Sequence, residues 1–152
     1  MIRSRSKLPI GWVCGVLVLA VAGCKNSDEA CAIRSGEPLI TVASVQDSVS
    51  HAQIADVTLS EILFNNAPVA NFEFLVNPDR GPTSQVTVDA QSLRCKVACG
   101  FASATGTYRF VLGAPGYRSR IVVLDARYAQ VSSGCPALLK GGMVVNESLA
   151  KS

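Results

Sequence analysis

The chain has 152 residues, 49% of them hydrophobic and 16% charged, with a formal charge of +3, six cysteines and one histidine. Three of the 14 Lys and Arg, namely Arg3, Arg5 and Lys7, lie at the very start, which leaves 11 basic residues against 11 acidic ones. A neutral body of this length holds one domain with its own core, and it lacks the basic footprint of a nucleic-acid binder.

Met1 to Lys7 is basic and free of acid. Leu8 to Gly23 then runs for 16 residues without a charge and ends in the small pair Ala22-Gly23. This is the layout of a secretory signal helix, and it falls short of the ~20 apolar residues of a spanning helix. Val21-Ala22-Gly23-Cys24 resembles a bacterial lipobox. The resemblance implies cleavage between Gly23 and Cys24, a diacylglyceryl group on the Cys24 sulfur and an acyl group on the freed amine. These covalent lipids are the sole cofactor-like groups expected. Two or three acyl chains hold stably where one is marginal, so a membrane is the first expected partner. Lys25, not Asp, follows the anchor, which implies the outer rather than the inner membrane of the cell envelope. Residues 1–23 are therefore read as signal, 24–38 as lipidated tether, 39–149 as a β-sandwich domain and 150–152 as tail. Cys14 departs with the signal.

Leu39 to Val45 is rich in β-branched residues and predicts the first strand. Asp47 follows, and Ile54, Ala55, Val57, Thr58 and Leu59 lead into a second. Val57, Thr58 and Ile62 disfavour a helix over Ala52 to Phe64. Asn65-Asn66-Ala67-Pro68 marks a turn. Phe72, Phe74 and Val76 alternate with Asn71 and Glu73, which predicts a half-buried strand. Pro78-Asp79-Arg80-Gly81 predicts a surface turn. Val86 and Val88 begin another strand, and Phe101 to Gly106 reads as a loop of small residues.

Gly106 to Leu112 places Tyr108, Phe110 and Leu112 on one strand face. Pro115-Gly116 suits a type II turn, with proline setting one φ and glycine supplying the positive one. Ile121 to Tyr128 and Met143 to Leu149 complete about seven strands separated by turns, which is the pattern of a sandwich.

Two of these stretches resemble carboxypeptidase regulatory-like and transthyretin-like domains. One is Asp47 to Leu59, set against a Thr-Gly-x-Pro-Ile-Ala turn and an Ala-x-Val-Thr-Val strand. It departs at His51, where the family has Gly, and at Gln53, where it has Pro. The other is Gly106-Thr107-Tyr108 leading to Ala114-Pro115-Gly116-Tyr117. The resemblance implies an all-β, seven-stranded Greek-key sandwich and a non-catalytic module that carries no zinc site.

Cys31, Cys95, Cys99 and Cys135 remain after the signal and anchor. An even number in an exported chain predicts two disulfides with three possible connectivities. On an extended strand Cys95 and Cys99 would lie ~13 Å apart, too far to bond. They would then pair outward, to Cys31 and Cys135; a tight loop between them would let them pair with each other. A four-cysteine zinc site lacks its usual close ligand pairs.

His51, the single histidine, is a candidate base only if a carboxylate such as Asp47 or Asp56 holds its ring. That is the basis of an alternative reading as a small envelope hydrolase. The plain reading is a surface turn residue, with no catalytic residue in the chain. Arg109, Arg118, Arg120 and Arg127 form a candidate strip for phosphate or carboxylate groups of an envelope protein or glycan. The competing role is to keep an edge strand from pairing with other chains. Arg118 sits in Tyr117-Arg118-Ser119, which departs from the Tyr-Arg-Gly-Ser chain ending of hydroxyisourate hydrolases. No metal site is expected.

Overall fold

The computed structural model describes residues 32–76 and 85–152. The signal helix, Gly23, Cys24, Cys31 and the Pro78–Gly81 turn lie outside them. Among the described residues the chain is all-β except for one 3-10 turn, η1 (Phe72–Leu75), and no helix is long and apolar enough to cross a membrane.

The strands form three open sheets. In the first, β2 (Ile40–Asp47) lies between β7 (Cys99–Phe101), antiparallel, and β12 (Met143–Leu149), parallel. The second runs β5 (Val86–Asp89), β6 (Ser92–Lys96), β3 (Asp56–Phe64), β8 (Gly106–Gly113), β9 (Arg120–Ala126), with β4 (Ala67–Pro68) folded back on the end of β3. The third is small: β1 (Ile33–Ser35) pairs with β11 (Ala137–Lys140), which pairs with β10 (Gln130–Val131). Ile33–Ser35 falls within the stretch read as tether.

The first two sheets face each other across one core because their strands alternate. Tyr108, Phe110 and Leu112 of β8 are fully buried, as are Ile40, Val42 and Val45 of β2. Phe101 of β7 meets Phe110 edge-on at 5.7 Å between ring centroids, so the sheets touch directly. Each such side chain contributes roughly 1.5–3 kcal/mol of apolar burial. Tyr108 keeps its hydroxyl satisfied by donating to the Ala104 carbonyl at 2.8 Å.

Turn chemistry sets the connections. Asn65 and Asn66 both have positive φ (48° and 65°), the geometry of a two-residue hairpin loop, and Phe64 pairs with Ala67 across it. At Pro115-Gly116 the glycine has φ 80° and the Tyr117 N–H donates to the Ala114 carbonyl at 3.1 Å, as a type II turn requires.

One expected strand is corrected. Phe72–Leu75 is a 3-10 turn. The alternation at 72, 74 and 76 competes with a three-residue spacing that brings both Phe72 and Leu75 to the core. The Leu75 carbonyl then accepts from the Ala102 N–H at 2.7 Å instead of entering a ladder. Six strands were not expected: β1, β4, β6, β7, β10 and β11. β6 alternates Leu93 and Cys95 inward with Arg94 and Lys96 outward. β7 is buried on both faces and shows no alternation, and β11 is half-buried throughout.

Candidate functional site

Cys95 and Cys99 occupy the corner where the chain changes sheets. β6 belongs to the larger sheet and β7 to the smaller, and only Val97 and Ala98 separate them. The strand therefore does not continue. Its reversal brings the Cα atoms of Cys95 and Cys99 to 5.8 Å, and the two form a disulfide, the pairing that a tight loop allows. Both are buried. Cys135 is disulfide-bonded too. The expectation for Cys31 falls outside them.

The corner after β2 is built around Asp47, whose side chain is almost wholly buried. Its Oδ1 accepts from the N–H groups of Ser50 at 2.8 Å and Val49 at 2.9 Å. These bonds, first that of Ser50 and then that of Val49, hold the carboxyl down to about 2 from 3.8 and outweigh the opposing effect of burial; Lys151 adds a smaller pull. Among the described residues Oδ2 has no hydrogen-bond partner, and it lies 3.8 Å from the Lys151 ammonium. His51 follows with φ 58°, a left-handed backbone, and its N–H donates to the Asp47 carbonyl at 3.0 Å. The His51 ring is exposed and forms no hydrogen bond or ion pair among the described residues. A carboxylate oriented on the imidazole, which a general base needs, is not part of this corner.

The four arginines do not converge. Arg120 opens β9 and its Nε donates to Glu147 Oε2 of β12 at 3.0 Å, an ion pair joining the rims of two sheets. Arg127 lies just past the other end of β9 and pairs with Asp125. Arg109 projects from the outer face of β8 opposite Val123. Arg118 precedes β9, and its N–H donates to the Ala150 carbonyl at 2.8 Å, which docks residues 150–152 along the Pro115-Gly116 turn.

A different place carries no motif in the sequence. On the outer face of the larger sheet, Thr87, Arg94 and Thr58 stand in one row across β5, β6 and β3. Lys96 stands opposite Asp56 in the next row, and its N–H donates to the Gln85 carbonyl at 2.8 Å. These six residues line an open groove of about 720 Å³, closed at one side by Pro115. Arg94 pairs with Asp89 at 3.2 Å, both ends exposed. The Lys96 ammonium has no ion pair or hydrogen bond among the described residues. The signal was present as the alternation of Leu93-Arg94-Cys95-Lys96, which becomes a strand only once β3 and β5 flank it. A second hollow of about 380 Å³ lies between Phe64 and Asn71 and is mainly apolar. No group of His, Cys, Asp and Glu among the described residues is placed to hold a metal ion.

The class that this geometry defines is an all-β domain of open sheets, stapled by cystine, with a polar groove on one outer face. No family model, characterised protein or solved structure matches the chain.

Proposed function

We propose that the chain is a lipid-anchored protein of the bacterial cell envelope, held at the outer membrane. Its domain acts as a non-catalytic binding or structural module, a seven-stranded Greek-key sandwich of the carboxypeptidase regulatory-like or transthyretin-like kind. The observation that carries the reading is Val21-Ala22-Gly23-Cys24 placed directly after a charge-free run with a basic start. Three features support it: a buried Cys95–Cys99 disulfide suited to an oxidising compartment, a type II turn at Pro115-Gly116, and positive φ at His51, where the resembling family has glycine. Its partners are the membrane through the anchor and an envelope protein or glycan, not a nucleic acid.

A hydrolase built on His51 has no observation in its favour: the exposed ring forms no hydrogen bond among the described residues, and Oδ1 of the neighbouring Asp47 accepts from two backbone donors instead.

Growth with labelled palmitate tests the anchor. The parent chain takes up label and Cys24→Ala takes up none. Equal labelling of the two, or an unmodified Met1 in mass spectra of the parent, sinks the reading.

A further inference from the structure

We infer that the outer-face groove over β5, β6 and β3 is a binding site for a polyol that carries one anionic group, a phosphate or a carboxylate. The inference rests on the binding half of the function above and is independent of the anchor.

Arg94 and Lys96 are two residues apart on one strand, so both project from the same face with their Cα atoms ~6.6 Å apart. A planar guanidinium grips an oxyanion with two parallel hydrogen bonds, and an ammonium beside it adds a point charge. The two can close on a single anion seated over β6. The Arg94–Asp89 pair does not prevent this, because an ion pair exposed at both ends is weak and is readily exchanged for a bound anion. Lys96 carries no competing ion pair among the described residues.

The flanking strands set the rest of the ligand. Thr58 and Thr87 lie on either side of Arg94, and Gln85 and Asp56 on either side of Lys96. Hydroxyls and a side-chain amide both donate and accept, which is what ring hydroxyls need. Asp56 only accepts when ionised, so it favours hydroxyl donors and repels a second anion. The ligand therefore has one charged end and a hydroxyl-bearing remainder. None of the described lining residues is aromatic, so recognition proceeds through charge and hydrogen bonds rather than through stacking on a sugar face. A volume of about 720 Å³ lies within the range of small-molecule sites, roughly 300–1,000 Å³.

The test uses the full chain in detergent micelles, with backbone amide shifts followed by NMR during titration. The probes are glucose 6-phosphate, glucuronate, glucose and inorganic phosphate. Glucose 6-phosphate and glucuronate should give saturable shifts centred on Thr58, Gln85, Thr87 and Lys96, with glucose and inorganic phosphate at least about tenfold weaker. Arg94→Gln and Lys96→Gln should each weaken the two ligands about tenfold or more, while Arg34→Gln, on the exposed face of β1, leaves them unchanged. Dispersed spectra of the variants confirm that outward substitutions keep the fold. Shifts scattered over the surface, equal binding of inorganic phosphate or glucose, or undiminished binding by Lys96→Gln would each overturn the proposal. Any of these results leaves palmitate labelling at Cys24 untouched, so the two failures are told apart.

Discussion

Asp47 is a carboxylate that burial alone would push towards protonation, yet two short bonds from the N–H groups of Ser50 and Val49 keep it ionised. Those bonds tie the end of β2 to the turn that starts the crossing to β3. Its folded value, about 2, lies below the unfolded 3.8. The unfolded chain therefore binds more protons between these values, and stability is lost as pH is lowered through that window. Urea midpoints measured from pH 5 down to pH 2 should drop for the parent chain. They should drop less steeply for Asp47→Asn, which has no carboxyl to titrate. Identical slopes in the two proteins would show that the bonds to Asp47 do not contribute. His51 matters here through its backbone: φ 58° is costly for most side chains and less so for histidine. The burial of Asp47 was not legible in the sequence, because it depends on β12 and Lys151, which lie far along the chain.

At the scale of elements, β3 shows how a strand that breaks its alternation still buries one face. Leu59 and Ile62 are both buried, though three residues apart. A bulge makes this possible: Ser60 pairs with Val111 and Leu63 with Arg109, so one extra residue fits between, and Glu61 takes φ 48° to absorb it. The start of β12 depends on a close approach instead. A Cβ on Gly142 would stand 2.4 Å from the Leu39 carbonyl oxygen and 2.7 Å from that of Pro38. Both are backbone atoms at the mouth of β2 and cannot swing aside. Gly142→Ala should therefore destabilise by about 1–3 kcal/mol, read as a lowered urea midpoint, and a neutral substitution would mean that the two strands are looser than described. β8 was legible because burial imposes a period of two on it, and β2 through its β-branched residues. β7 and η1 were not. Cys99-Gly100-Phe101 is buried on both faces, and Phe72–Leu75 obeys two spacings at once.

For the molecule as a whole, the Cys95–Cys99 disulfide sits where the chain leaves the sheet of β6 for the sheet of β2. It closes a short loop, so the chain-entropy effect is modest, about 2 kcal/mol. Its position adds to this by holding the two sheets together at the β6–β7 corner, while the Arg120–Glu147 pair joins β9 to β12. Replacing both cysteines by serine should lower the unfolding free energy by about 2 kcal/mol or more. It should also raise amide exchange in β5 and β7 before the rest of the core. A loss confined to the global transition, with no local change, would show that the bond does not couple the sheets.

What the sequence determined by itself was whatever depends on neighbours along the chain: the charge-free run before Cys24, the turn residues at 65–66 and 115–116, the all-β character and the buried face of β8. Each follows from local backbone preference or from the period of apolar residues. The tertiary structure alone decided which cysteines bond, since two residues four apart are joined or separated according to whether the strand turns between them. It also decided that the four arginines disperse and that Arg94 and Lys96 share a groove with Thr58 and Thr87. A site of this kind is made from side chains brought into one row by hydrogen-bonded registers, and register is a property of strand pairs that no single strand carries.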